Sequence, residues 1–136
     1  MLFSLSVTPS AYSLNNLMQD SNTWVKRGIV DFLHPQLYRT RFSLYKNEID
    51  KIQANFPNAS ERRKYAPGIA FRANGVNWSA EDIAKCVQLN RNRGLSGESF
   101  FFFEGLKKNN NLIAKALRDK AGYGEVAALP DPIIVT

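Results

Sequence analysis

Four segments of this chain end in polar side chains that could bind or transform a polar ligand. Thr8, Gln36 with Tyr38, Arg72 and Glu104 each follow a short, largely apolar run. A carboxylate can act as a general acid, a general base or a nucleophile, and arginine, amide and hydroxyl groups can orient a substrate. Each residue also has a structural interpretation, with Glu104 as a surface glutamate and Arg72 as its ion-pair partner. The recurrence of the pattern in four segments favours one shared site.

The runs that precede these polar groups are predicted to be strands. The first alternates apolar and hydroxyl side chains, and the last, within GESFFFFEGL, contains four consecutive phenylalanines. Such a run is typical of a strand buried on both faces of a parallel sheet. Glu104 would close this strand at its carboxyl end, the edge at which parallel α/β folds bind ligands. The predicted strands cover residues 3–8, 29–38, 66–72 and 98–104.

Helices are predicted between and after the strands, from apolar spacing and capping residues. They cover about 21–26, 43–55, 80–92 and 110–121, whereas 10–20 and 56–65 are predicted to be loops. Four alternating βα units predict an α/β fold with parallel strands. They fit either a small doubly wound sheet or half of a (β/α)8 barrel. No glycine-rich phosphate loop follows the first strand, so no cofactor is predicted.

Composition limits the other classes of function. The net charge is +6, but the basic residues are scattered, so a basic nucleic-acid-associated domain is the weakest alternative and no nucleic-acid partner is predicted. The single histidine, His34, and the single cysteine, Cys86, predict structural roles and no metal site. No apolar run is long enough to span a membrane. The first residues, MLFSLSV, show no signal-peptide pattern, and the location is left open.

Three segments of the chain resemble the glycosyl-hydrolase-like family 10 proteins of bacteria. These are residues 19–39, 65–79 and 90–118, and the resemblance extends over nearly the whole chain. It implies a (β/α)8 barrel that acts on carbohydrate, with bacterial cell-envelope glycan as one substrate class and either the cell envelope or the cytoplasm as location. The pattern that carries the resemblance most specifically consists of Trp24, Gly28, Val30, Asp31, Pro35, Gln36 and Tyr38.

The resemblance is to the C-terminal half of the barrel, strands five to eight. Residues 1–122 are therefore expected to form a half barrel and residues 123–136 an extended C-terminal tail. The chain would be a truncated reading frame, a fragment or one member of a split pair. A half barrel leaves two open sheet edges and an uncovered inner face. We therefore expect it to pair with another copy, as a homodimer, or with a complementary half barrel.

The resemblance also implies a carbohydrate site at the strand ends. Glu104 is the expected catalytic acid, base or nucleophile. Glycoside hydrolysis normally requires two carboxylates, so the isolated chain is expected to be inactive. The alternative is a non-catalytic carbohydrate-binding or structural α/β remnant. The expected substrate-binding residues are Gln36, Tyr38, Arg72, Asn74, Trp78 and Asp20, of which Asp20 is also a candidate second carboxylate.

Overall fold

The structure contains four short parallel strands, and helices separate them along the chain. The computed structural model describes residues 1–72 and 75–125. The strands are β1 (Ser4–Val7), β2 (Phe32–Pro35), β3 (Gly68–Ala70) and β4 (Ser99–Phe101). The helices are α1 (Ser10–Leu17), α2 (Ser21–Lys26), α3 (Phe42–Asn55), α4 (Ala59–Arg62), α5 (Ala80–Asn92) and α6 (Glu104–Lys120).

The strands run in parallel in the order in which they occur in the chain. β1 pairs with β2, with Ser4 opposite Phe32, and β3 pairs with β4, with Gly68 opposite Ser99. Two parallel bridges, Leu33 to Tyr65 and Gln36 to Gly68, join the two pairs. The prediction of an α/β protein is therefore confirmed, and the carboxyl ends of all four strands lie at the same edge.

The hydrophobic core lies between one face of the strands and the helices. Leu33 and Ile69 come from the strands, and Tyr45 and Ile83 come from α3 and α5. All four are almost completely buried. Side chains alternate between the two faces of a strand, so the opposite face carries Ser6, the residue between Leu5 and Val7.

Side-chain caps explain where α2 and α5 begin. The backbone N–H of Thr23 donates to the Asp20 carboxylate at the start of α2. The N–H of Asp82 donates to the Ser79 hydroxyl at the start of α5, at 3.0 Å. A side-chain acceptor at this position satisfies one of the N–H groups that the first helical turn leaves without a partner.

The prediction of a loop over residues 10–20 is wrong for its first part, which forms α1. The segment SAYSLNNL lacks both a side-chain cap and a clear apolar stripe. The helix is held instead by the burial of Ser13 and by a local hydrogen bond of 2.7 Å between the hydroxyls of Ser13 and Thr8. The predicted loop over 56–65 likewise contains the single turn α4.

The end of the fourth strand was also predicted wrongly. β4 stops at Phe101, and Glu104 lies in the first turn of α6 rather than on a strand. The phenylalanine run is not buried on both faces, since Phe101, Phe102 and Phe103 are 45%, 41% and 62% exposed. Four identical side chains carry no local signal for where the strand ends.

Helix α6 begins earlier than the predicted helix over 110–121 and contains a break. Lys108 has an extended backbone, and the three following asparagines, 109–111, have positive φ. Asparagine adopts this left-handed conformation more readily than most residues. Of the expected tail, Tyr123 packs against the ring of Phe100, and residues 126–136 lie outside the described residues.

Gly105 allows the first turn of α6 to lie directly against the end of β3. A Cβ atom at Gly105 would be 2.5 Å from the Cβ atom of Phe71, and 2.7 Å from its ring atom Cδ2. Phe71 is almost completely buried, so it has little room to move away. Any side chain at residue 105 would therefore push α6, and Glu104 with it, away from the strand ends.

We predict that Gly105→Ala lowers the free energy of unfolding by about 1–3 kcal/mol, the usual range for overpacking. Urea denaturation measures the change. The matched control is Gly124→Ala, because a Cβ atom there would meet its nearest neighbour at 3.6 Å, an ordinary contact. Equal stability of Gly105→Ala and the wild type would show that this close approach is absent.

Candidate functional site

The polar groups after β1 and β2 are held by neighbours on the uncovered face of the strands. The Gln36 amide Nε2 donates to the Ser6 hydroxyl at 3.2 Å, and the Ser6 hydroxyl donates to the carbonyl of His34 at 3.3 Å. Thr8 is engaged by Ser13 of α1. Gln36 remains exposed, so it is available to a ligand, whereas the Thr8 hydroxyl serves the packing of α1.

Tyr38 bridges the ends of β2 and β4. Its ring stacks on that of Phe101, with centroids 5.4 Å apart and planes inclined by 16°. The ring crosses above Gly68, where a Cβ atom would meet Tyr38 Cε1 at 3.3 Å. Partial burial raises the pKa of the Tyr38 hydroxyl. The two rings form an aromatic platform, defined here as Tyr38 and Phe101, at the edge where the strand ends meet.

Arg72 and Glu104 follow β3 and β4 at the same edge. Both side chains are exposed. Within residues 1–72 and 75–125 they form no ion pair with each other or with another residue. The interpretation of Arg72 as the partner of Glu104 therefore does not apply, and both charges face solvent.

A pocket of about 140 Å³ lies between the end of β3, the start of α5 and the broken part of α6. We call it the β3–α6 pocket. Arg72, Asn77 and Lys108 contribute polar groups to it, and Trp78 and Leu112 contribute apolar surface. Glu104 immediately precedes Gly105, which also lines the pocket.

Trp78 is mainly a core residue. Its ring is only 7% exposed, and its indole N–H donates to the carbonyl of Arg39 at 2.7 Å. The ring also packs edge-on against Tyr45, with centroids 6.4 Å apart. Trp78 therefore fixes the loop before α5 and offers a limited part of its surface to the pocket. Asn74, the other residue expected from this loop, lies outside the described residues.

Asp20 is committed to the cap of α2. Its carboxylate accepts hydrogen bonds from the Thr23 hydroxyl at 2.6 Å and from the Thr23 backbone N–H at 3.0 Å. These bonds lower the pKa of Asp20, and the charges of Lys26 and Arg27 act in the same direction. A carboxylate stabilised in its ionised form is a poor proton donor.

His34 and Cys86 occupy structural positions in the fold. His34 Nδ1 lies 3.0 Å from the carbonyl oxygen of Ala66, which links β2 to the segment before β3. Cys86 is fully buried, and burial raises the pKa of its thiol. In the described part of the chain, no three His, Cys, Asp or Glu side chains group closely enough to hold a metal ion. No helix among these residues has the length and apolarity to cross a membrane.

A polar cluster at the opposite edge, with Glu98 partly buried, was not predicted as a unit. Glu98 directly precedes β4, and the Tyr123 hydroxyl donates to its Oε2 at 2.6 Å. The guanidinium of Arg91 lies 5.2 Å from the centre of the Tyr123 ring. Burial raises the pKa of Glu98. The hydrogen bond from Tyr123 and the charge of Arg91 act in the opposite direction and lower this pKa in part. The members are far apart in sequence, so spacing gives no signal for the cluster.

These features define an α/β protein whose polar groups gather at the carboxyl ends of parallel strands, where such folds place their ligand sites. Residues 1–82 match the model of the family described as Glycosyl hydrolase-like 10. The chain therefore belongs to this family. No curated protein and no solved structure matches the chain. The matched range contains Gln36, Tyr38 and Arg72 but ends before Glu104.

The Glu98 cluster predicts a pH dependence of stability. Because burial raises the pKa of Glu98 above its ordinary value of 4.5, its contribution to stability is complete below pH 4.5 and is lost as the pH rises through the raised pKa. Glu98→Gln keeps an oxygen that accepts the Tyr123 hydroxyl but cannot ionise. We therefore expect it to be more stable than the wild type at pH 7, with the difference shrinking towards pH 4.

Urea denaturation at pH 4 and pH 7 measures this difference. The control is Glu125→Gln, which changes the net charge equally at an exposed position. If the wild type is more stable than Glu98→Gln at pH 7, the burial of the Glu98 charge is not unfavourable and the prediction is wrong.

Proposed function

We propose that this chain is part of a glycoside hydrolase-like (β/α)8 barrel that acts on carbohydrate, with bacterial cell-envelope glycan as the substrate class. The observation that carries the proposal is the family match over residues 1–82. The parallel strand order supports the barrel, because the four βα units correspond to half of one, the half that we identify as strands five to eight.

In this proposal Glu104 is the catalytic carboxylate, acting as general acid, base or nucleophile. It is exposed at the edge where the strands end, and Gly105 holds its helix against β3. Gln36 and Arg72 orient the sugar through its hydroxyl groups. The aromatic platform of Tyr38 and Phe101 offers a flat apolar surface, partly open to solvent, on which a sugar ring can pack.

We propose that Asn74, Trp78 and Asp20, the cap residue of α2, also bind the substrate. Asp20 fits a substrate contact better than a second catalytic carboxylate, since its oxygens accept the Thr23 bonds. Glycoside hydrolysis requires a partner for Glu104 at about 5–10 Å. We propose that this partner comes from the other half of the barrel.

A second candidate function is carbohydrate binding without turnover. The engagement of Asp20 as a helix cap favours it, because this leaves Glu104 as the one candidate carboxylate with open oxygens among the described strand-end residues. Gln36, Arg72 and the aromatic platform would then bind a glycan that the protein does not cleave.

We further propose that the uncovered face pairs with a second half barrel, supplied by another copy of the chain or by a complementary chain. Among the described residues, the outer strands β1 and β4 have one open edge each, and Phe101 and Phe102 are exposed beside the end of β4. Two copies related by a twofold axis along the barrel would place β4 of one beside β1 of the other. This arrangement closes eight parallel strands and covers both open edges.

We predict that Glu104→Gln reduces the release of reducing sugar from polysaccharides at least about 100-fold, the loss expected for a catalytic acid or base. The assay uses the paired form of the protein, and Glu125→Gln is the control. Turnover that survives Glu104→Gln would exclude Glu104 as the catalytic group. Glycan binding without turnover in the wild type would favour the second candidate, and an absence of both would contradict a carbohydrate function.

We predict that the purified chain self-associates to a mass about twice its 15.4 kDa. Phe102→Glu should shift it to the monomer, because it places a charge on an exposed residue beside the end of β4, which the proposed pairing would cover. Size-exclusion chromatography with light scattering measures the mass, and Leu14→Glu, which alters an exposed leucine of α1, is the control. A monomeric wild type would contradict pairing between two copies.

A further inference from the structure

The β3–α6 pocket has an excess of positive charge. Arg72 and Lys108 line it, and none of the acidic side chains in residues 1–72 and 75–125 does. In the part of the chain that the structure describes, neither cation forms an ion pair. Two charges of the same sign around one small pocket repel each other, so an anion placed between them would relieve the repulsion.

The nearest acidic residues of α5 are already engaged. Glu81 lies 3.2 Å from Lys85, and the carboxylate of Asp82 accepts the Ser79 hydroxyl at 2.9 Å. Both carboxylates therefore already have partners within α5 or its cap. The positive end of the α5 dipole, by contrast, adjoins the pocket, because Ser79 and Ala80 are among its lining residues.

The break in α6 places one of the two cations in the pocket wall. Lys108 has ψ of 153° and Asn109 has φ of 48°, so the chain leaves the helical path at this point. Both residues line the pocket, together with Leu112 from the second part of the helix. The irregular backbone thus brings both polar and apolar groups into the lining of the pocket.

The volume of the pocket limits its occupant. This volume is about 140 Å³. Pockets for whole drug-sized ligands are larger, about 300–1,000 Å³. The pocket therefore fits one substituent of a larger molecule. A planar carboxylate suits it, because a guanidinium binds a carboxylate through two parallel hydrogen bonds.

We propose that the β3–α6 pocket binds the carboxylate of an acidic sugar, of the uronic acid type, within the glycan. This inference rests on the proposed carbohydrate function and adds a class of substrate to it. Arg72 binds the carboxylate in bidentate fashion, Lys108 supplies a second charge, and Asn77 is positioned to donate to a neighbouring hydroxyl. The acidic residue of the glycan thereby sets which glycosidic bond lies near Glu104.

The test compares the binding of D-glucuronate, D-glucose and inorganic sulfate by NMR titration of the ¹⁵N-labelled full chain. We expect glucuronate to bind about tenfold more tightly than glucose, as for a charge-assisted hydrogen bond. Arg72→Gln and Lys108→Gln should each remove most of this preference. Lys115→Gln, an exposed lysine of the same helix outside the pocket, should leave it unchanged.

The measurement does not depend on turnover, and Glu104→Gln should keep the preference for glucuronate. Equal binding of glucuronate and glucose would overturn the acidic-sugar inference while leaving the carbohydrate function intact. Sulfate binding as tight as that of glucuronate would overturn it as well, by indicating a bare anion site. An undiminished preference in both Arg72→Gln and Lys108→Gln would place the carboxylate elsewhere.

Discussion

The junction between β2 and β3 is the interaction on which the rest of this structure depends. The N–H of Leu33 donates to the carbonyl of Lys64 at 2.7 Å, and the N–H of Ala66 donates to the carbonyl of Leu33 at 2.9 Å. At the other end of the junction, the N–H of Leu37 donates to the carbonyl of Gly68 at 3.1 Å. Without these bonds the structure would contain two separate strand pairs, each too small to be stable alone.

The same junction brings the strand ends together. Gly68 has no side chain, so the ring of Tyr38 can cross above it and reach Phe101 on β4. Gly105 makes a second close approach, at Phe71, and sets the start of α6. Two glycines thus determine where the aromatic platform and Glu104 lie. The shape of this edge therefore depends on the lack of a side chain at Gly68 and Gly105 as well as on the larger side chains around them.

Much of the fold could be predicted where the signal is local. The predicted helix over 80–92 has the observed bounds of α5, because Ser79 caps it and its apolar residues repeat with the helical period. Helix α1 was missed because the burial of Ser13 and its hydrogen bond to Thr8 have no counterpart in the pattern of apolar residues. The position of Glu104 was misassigned for a related reason, since packing against Phe71 decides where the phenylalanine run changes from strand to helix.

Glu98, at the amino end of β4, shows that a raised pKa need not lie at the edge where parallel folds bind ligands. Strongly shifted pKa values are often taken to indicate active sites. Burial raises the pKa of Glu98, which is partly buried at the amino end of the strand and accepts a hydrogen bond from Tyr123. In parallel barrels that end contributes to stability, whereas the carboxyl end carries the chemistry. Glu104 lies at the carboxyl end, with its side chain exposed to solvent. In the function proposed above, water would be excluded from this edge by a bound glycan or by a second half barrel.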